Sequence, residues 1–311
     1  MSVLICGSIA YDHIMVFPDQ FKNHILPDKV HILNVSFLVP KMRKEFGGCA
    51  GNIAYNLNLL DDSAALPMAT VGEDFYAYEC WMKKHNINQK HIKTIKDSFT
   101  AQAFITTDMD DNQITAFHPG AMNYSQENKI NNIGRVVLGI ISPDGRDGMI
   151  SHAQQFVDSN TPFIFDPGQG MPMFDGKELN EFIEQATWVT VNDYEWQMMK
   201  DKTGFEEKEI VERVSALIIT YGGNGSKIHT KDRTIEIPAV TPEAVVDPTG
   251  CGDAFRGGLL FGLINDMDLE TTGRIASMMG SKKISCHGTQ NHSFTLDEFK
   301  SYFKDHYGYN F

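Results

Sequence analysis

The sequence predicts an α/β fold: a doubly wound, mostly parallel sheet flanked by helices, with a small inserted β-sheet lid. Three observations predict it. Short apolar runs rich in β-branched residues, such as 3–7 and 64–71, alternate with longer helical patterns along most of the chain. One hairpin pattern, 100–117, interrupts that alternation with two strands around a polar turn at 108–112. Polar and glycine-rich clusters recur at the ends of the runs, where an open α/β sheet presents its ligand sites.

The elements follow in order. Val3, Leu4 and Ile5 read as a buried opening strand that ends at Gly7 and Ser8, with Asp12 beyond its carboxyl end. No clear helix is expected between 13 and 46, and 30–39 reads as a strand around Ser36 and Phe37. Gly47, Gly48 and Gly51 then open a helix carrying Asn52, Ile53, Ala54, Leu57 and Leu60. A strand at 64–71 and a helix at 74–85 precede the hairpin, which places Phe104 and Phe117 on its two strands. Strands at 135–142, 162–165, 187–191 and 216–221 alternate with helices ending near Phe156 and starting at Lys177. Gln169 lies in the Asp166–Gly170 cap, and Asn192 and Glu195, three apart, share one face of a helical start. Thr220 ends its strand before the Gly222–Ser226 loop, which contains Gly225; strands at 226–230 and 233–237 follow. Helices at 269–285 and 296–303 finish the chain. The whole reads as one domain over 1–311, with a lid made of about 13–46 and 99–120.

Composition narrows the function. With 311 residues, 42% hydrophobic and 22% charged, the chain can bury a large core. A net charge of -13 argues against nucleic acid or an anionic membrane as partner. Five cysteines without a C-x-x-C pair suggest free thiols in a reducing compartment. The N-terminus has no basic segment before an apolar run, and no apolar run approaches membrane-spanning length, so a cytoplasmic protein is expected.

The stretch 245–263 concentrates the chemistry. Asp247 and Pro248 should stop a strand. Thr249, Gly250, Cys251 and Gly252 then turn into a helix with Asp253 at its start and Ala254, Phe255, Leu259, Leu260 and Leu263 on its apolar face. Free amides at a helix start attract anions, so a carboxylate there suggests an anion cradle with a proton acceptor beside it. The plainer reading is Asp253 as a helix cap and the glycines as turn residues. The sequence contains no G-x-x-x-x-G-K-[ST] loop, G-x-G-x-x-G fingerprint, H-E-x-x-H or G-x-S-x-G.

Taken together, these motifs resemble the ribokinase-like (PfkB) family of sugar and nucleoside kinases over nearly the whole chain. Asp247 to Asp253 looks like its D-T-x-G-x-G-D signature, Gly47-Gly48 with Asn52 like its first signature, and Asn192 with Glu195 like its metal and phosphate motif. The stretches from Gly7 to Asp12, Val35 to Leu38, Pro119 to Met122, Asn192 to Trp196 and Gly288 to Gln290 are similar to bacterial adenosine kinases. The resemblance implies an ATP-dependent kinase of the 5′-hydroxyl of a purine ribonucleoside, adenosine first, with Mg²⁺ as cofactor; it also allows for a monovalent cation, K⁺. It implies Asp253 as base and the amides of Gly250, Cys251 and Gly252 as anion hole. Asp12 and Asn52, with Gly47 and Gly48, would take the ribose diol. Glu195 and Asn192 would hold magnesium, and Thr220, Gly222, Gly225 and Thr249 would line ATP. Ser8, Ser36, Phe37, Phe104, Phe117 and Gln169 would frame the base, with core packing the plainer reading for the phenylalanines.

Two departures from the family bear on function. Cys251 replaces a small residue at a helix start, where a reactive thiolate is expected, so alkylation should inhibit and ATP protect. Gly170 replaces a glutamine, which points to a broader nucleoside kinase taking inosine, guanosine or cytidine as the alternative. A ribokinase or fructokinase would not need an aromatic base platform, and a silent nucleoside sensor would not need Asp253. Exposed edges of the lid leave room for a homodimer.

Overall fold

The computed structural model describes residues 2–25, 31, 32, 34–110, 112–130 and 136–311. In its first part, strands β1 (Ser2–Cys6), β2 (Ala10–Val16) and β3 (Lys41–Gly47) lead to helix α1 (Cys49–Leu60). Then come β4 (Ala65–Val71), α2 (Tyr76–Lys84), β5 (His91–Thr94), β6 (Ala101–Thr107) and β7 (Gln113–His118). The middle is β8 (Val136–Ile141), α3 (Arg146–Asp158), β9 (Phe163–Phe165), α4 (Gly176–Gln185), β10 (Trp188–Asn192), α5 (Asp193–Thr203) and α6 (Glu207–Val211). The end is β11 (Ala216–Thr220), β12 (Ser226–His229), β13 (Thr234–Ile237), α7 (Cys251–Ile264), α8 (Leu269–Ile284) and α9 (Leu296–Tyr307).

Nine strands form the main sheet in the order β13-β12-β11-β10-β9-β8-β1-β4-β5. It is parallel from β11 to β5, and antiparallel only where β12 and β13 extend it. The strands buried on both faces are continuous apolar runs, as a covered parallel sheet requires. Residues of α1, α2, α7, α8 and α9 pack one core, and residues of α3, α4, α5 and α6 pack the other. The strand order reverses between β1 and β8, and crevices at such a reversal hold ligands.

The second sheet has the order β3-β2-β6-β7. Its central pair, β2 and β6, is parallel, and the outer pairs are antiparallel. The strand expected at 30–39 is not there: 34–39 carry no strand, and pairing begins at Lys41. Residues 30 and 33, like the first residue of the strand expected at 135–142, lie outside the described residues. What fixes β3 instead is its ladder to β2, from Val16↔Lys41 to Ala10↔Gly47. Among the described residues no helix is long and apolar enough to cross a membrane.

Candidate active site

The ends of β1, β8, β9, β10 and β11 and the start of α7 bring the predicted polar residues to one edge of the main sheet. The chain enters α7 through a turn in which Gly250 takes φ +77°, and a Cβ there would also press on Thr289 Cγ2 at 2.9 Å. Helix α7 starts at Cys251, so Asp253 lies in its first turn, and the helix-cap reading fails because the cap residue is Gly250. The Cys251 amide donates to Pro248 O at 3.2 Å, which removes it from the expected anion hole. The amides of Gly250, Gly252 and Asp253 have no backbone acceptor among the described residues, which leaves these three able to meet an anion.

Asp247 heads this turn and is spent on holding it. Its Oδ1 accepts the Thr249 amide at 3.0 Å, and its Oδ2 accepts the Gly288 amide at 2.9 Å and Arg43 Nη2 at 3.4 Å. Burial alone would raise its pKa, but these amides outweigh burial and hold it below the usual range.

Asp253 accepts Asn52 Nδ2 at 2.8 Å on its Oδ2. Gln290 Nε2 in turn donates to Asn52 Oδ1 at 2.9 Å and to Tyr78 Oη, and Tyr78 Oη donates to Gly47 O at 2.9 Å. The Gln290 carbonyl is held by Trp81 Nε1 at 2.9 Å. Burial pushes Asp253 up to about 7, with Asp166 adding to that and Asn52, Arg256 and the Cys49 thiol opposing it. A carboxylate poised near neutrality can accept a proton and release it again. The Cys251 thiol is not the thiolate expected. Burial, reinforced by the charges of Asp247 and Asp253, raises it to about 11, although the nearby Lys283 works the other way.

Asp12 lies on β2, on the lid face that also carries Glu45 and Arg43. Burial, then Glu45 and Asp247, raise it to about 6. Its Oδ2 fills the place of any Cβ on Gly47, and Gly48 at φ +85° would put a Cβ 2.6 Å from both Ala10 N and Ser8 O. Ser8 is buried and its Oγ accepts the Cys49 amide at 3.2 Å, so it caps α1 in place of Gly48, which has no side chain to do so.

The two lid phenylalanines separate. Phe117 pairs with Ala103, which pairs with Asp12, so Phe117 shares the Asp12 face about 10 Å away across two strand spacings. Phe104 pairs with Ala116 and His13, projects from the opposite face, and stacks on the His13 ring at 4.7 Å. A base bound over Asp12 therefore cannot use both. Phe37 packs among Phe17, Phe21 and His24 while Ser36 is exposed. Gln169 is exposed on a short 3-10 turn (Gly168–Met173), and the neighbouring Gly170 is buried against Met173 and Met149.

Asn192 and Glu195 form a reciprocal helix cap: Asn192 Oδ1 accepts the Glu195 amide at 2.7 Å, and Glu195 Oε2 accepts the Asn192 amide at 2.8 Å. Glu195 Oε1 carries no hydrogen bond among the described residues. Burial raises the Glu195 pKa, which Arg256 opposes. Among the described residues no cluster of three metal-ligating side chains forms. One free carboxylate oxygen suits Mg²⁺, an ion that keeps most of its waters and leans on substrate phosphates. Thr220 ends β11 beside Asn192, its register partner, and Gly222 at φ +54° has open space where a Cβ would stand. Gly225 is structural, since a Cβ there would overlap Ile237 O.

Sequence reasoning missed the support beneath Asp253. Arg256, buried one turn further along α7, donates through Nε at 3.1 Å and Nη2 at 2.8 Å to Oδ1 of buried Asp166. Ser142 Oγ donates to the other oxygen at 3.2 Å. The signal was present: an arginine within the apolar pattern of α7 has to be paired. Gln290 was noted only as part of a matching stretch.

The chain is similar to known proteins over most of its length. Residues 9–295 match the family described as pfkB family carbohydrate kinase. The nucleoside kinase of Methanocaldococcus jannaschii is 34% identical over 267 residues, covering 85% of this chain and 87% of that one. The nucleoside kinase of Methanothermobacter thermautotrophicus is 29% identical, covering 99% of this chain and 97% of that one. The structure of Burkholderia thailandensis nucleoside kinase in complex with inosine superposes with a TM-score of 0.91 at 50% identity, covering 99% of both chains. Adenosine kinase from Sinorhizobium meliloti, at 18% identity, covering 97% of this chain and 99% of that one, and a TM-score of 0.76, shares the fold. This chain therefore belongs to the PfkB family of carbohydrate kinases, ribokinase-like in fold, and is a phosphotransferase with an alcohol group as acceptor.

Proposed function

We propose that the protein is an ATP-dependent nucleoside kinase that phosphorylates the 5′-hydroxyl of purine ribonucleosides, inosine as well as adenosine. The observation that carries this reading is Asp253, poised near pH 7 beside the free amides of Gly250, Gly252 and its own residue. The 5′-oxygen attacks the γ-phosphorus of ATP, and its proton passes to Asp253. The new O–P bond forms as the bond to the bridging β,γ-oxygen breaks, and ADP leaves. The three amides meet negative charge as it grows on the transferring group. Glu195 and Asn192 would hold Mg²⁺, which would neutralise phosphate charge there.

Asp12 on its glycine-cleared edge accepts hydrogen bonds from the ribose diol, while Asn52 keeps its amide on Asp253. Phe117 offers the aromatic face on that side. Thr220, Thr249 and Gly222 would line the ATP phosphates, and Gly225 would shape the loop after Thr220. The broad base range is favoured over strict adenosine specificity by the 50% identical relative whose structure holds inosine, and by Gly170, which supplies no side chain to read the base. The outer lid face exposes Met42, Phe104 and Ile114, which favours a homodimer, and light scattering tests it. An ATP-coupled assay across adenosine, inosine, guanosine, cytidine and ribose tests the function. Turnover of ribose above that of every nucleoside overturns it.

A further inference from the structure

The chain buries a lysine that the reaction above does not use. Lys283, in the last turn of α8, is fully enclosed, and among the described residues no carboxylate lies within ion-pair distance of it. Its ammonium donates instead to two backbone carbonyls, Asp247 O at 2.7 Å and Cys286 O at 3.2 Å. Enclosing an ammonium with no carboxylate in contact is costly.

Its position is behind the cradle. The amides of Val246 and Asp247 donate to Ile284 O at 2.9 and 3.1 Å, which ties the entry of the turn to the end of α8 beside Lys283. The Cys251 thiol lies 4.0 Å from the same Asp247 oxygen that Lys283 holds. The ammonium therefore supports the turn from inside, while the Gly250, Gly252 and Asp253 amides remain free on it. Carbonyl oxygens alone are also the ligands that a dehydrated alkali cation takes.

We propose that the Lys283 ammonium is the resident cation of the anion cradle, fixing the Asp247–Asp253 turn as a bound monovalent ion would, so that transfer needs no added potassium. The proposal rests on the kinase reading above. Lys283 touches no substrate and is a positioning residue. A fixed positive charge behind the amides favours the charge that builds during transfer over the bound ground state, so its loss falls on kcat rather than on the KM for nucleoside. Burial lowers the Lys283 pKa, and the charge of Asp247 works against that loss.

The test assays wild type, Lys283→Met and Lys283→Arg with ATP and inosine in Tris-only, sodium and potassium buffers, with melting temperatures recorded. Wild-type rates should agree within about twofold across the buffers, because the cation site is already filled. Lys283→Met should lose roughly tenfold or more of kcat with KM for inosine changed less than about threefold, and regain part of it with ammonium or potassium. Lys283→Arg should fall between the two, since a guanidinium keeps the charge but not the shape. Wild-type activation by potassium of more than about threefold, or Lys283→Met with wild-type kcat, overturns the proposal. Where Lys283→Met fails to fold, the wild-type cation series decides. Absence of turnover of every nucleoside by the wild type refutes the kinase reading instead.

Discussion

The side-chain amide of Asn52 donates to Oδ2 of Asp253 at 2.8 Å, joining the first turns of α1 and α7 across the site. Asn52 favours the charged carboxylate, while burial and Asp166 favour the protonated one. The pair sets how readily Asp253 takes a proton. Kinetics should therefore follow Asp253 ionisation: kcat/KM should fall as pH drops below about 7, where Asp253 becomes protonated. Removing the amide in Asn52→Ala should move that acid limb upward by about one pH unit, the worth of one charged hydrogen bond. A profile unmoved in Asn52→Ala would show that another group titrates.

Asp253→Asn should lower kcat by about 100-fold or more and leave nucleoside binding intact, measured by coupled assay and calorimetry. Turnover near wild type refutes the base assignment.

Phe117 and Phe104 make a matched pair because they lie on opposite faces of one sheet. Phe117→Ala should weaken nucleoside binding by about 1–3 kcal/mol if the base stacks there. Phe104→Ala should leave KM for nucleoside unchanged in the monomer, and the reverse result would place the base on the other face.

Arg256→Met strands the buried Asp166 carboxylate and should cost about 3–5 kcal/mol in urea unfolding. Adding Asp166→Leu should recover much of that loss. A single variant as stable as wild type would mean that water reaches Asp166.

Cys251→Ala should keep kcat within about threefold, and iodoacetamide at pH 7.5 should label Cys251 slowly, since its thiol stays protonated. Rapid, ATP-protected labelling would restore the reactive thiolate that the helix start alone suggests.

The central strands of the main sheet were legible because they are continuous apolar runs, whereas the short polar edge strand β5 (His91–Thr94) was not foreseen. The lid was half legible. Gln102 to Phe117 alternates cleanly, but β3 mixes Lys41, Arg43, Lys44 and Glu45 with Met42 and Phe46, and only its ladder to β2 makes it a strand. The apolar residues Val35, Phe37, Leu38 and Val39 looked more strand-like and form no strand. At the site, motifs located Asp253, Asn52, Asn192 and Glu195, but not what each one touches. That Asn52 spends its amide on Asp253, Asn192 and Glu195 on one another, and Cys251 its N–H on Pro248 depends on backbone geometry. Lys283 stayed hidden beside Lys282, which is half-buried over Tyr302 and paired with Glu243.

The parallel pairing of β2 with β6 bears on how the protein is made. Ala10 must wait for Ala101, and the chain between them supplies α1, β4, α2 and β5 of the main body. Closing so long a loop costs entropy that local contacts in the lid cannot repay. The central pairing of β1 with β8 spans a longer stretch still, from Val3 to Leu138, so both sheets are closed by contacts distant in sequence and neither forms from local contacts alone.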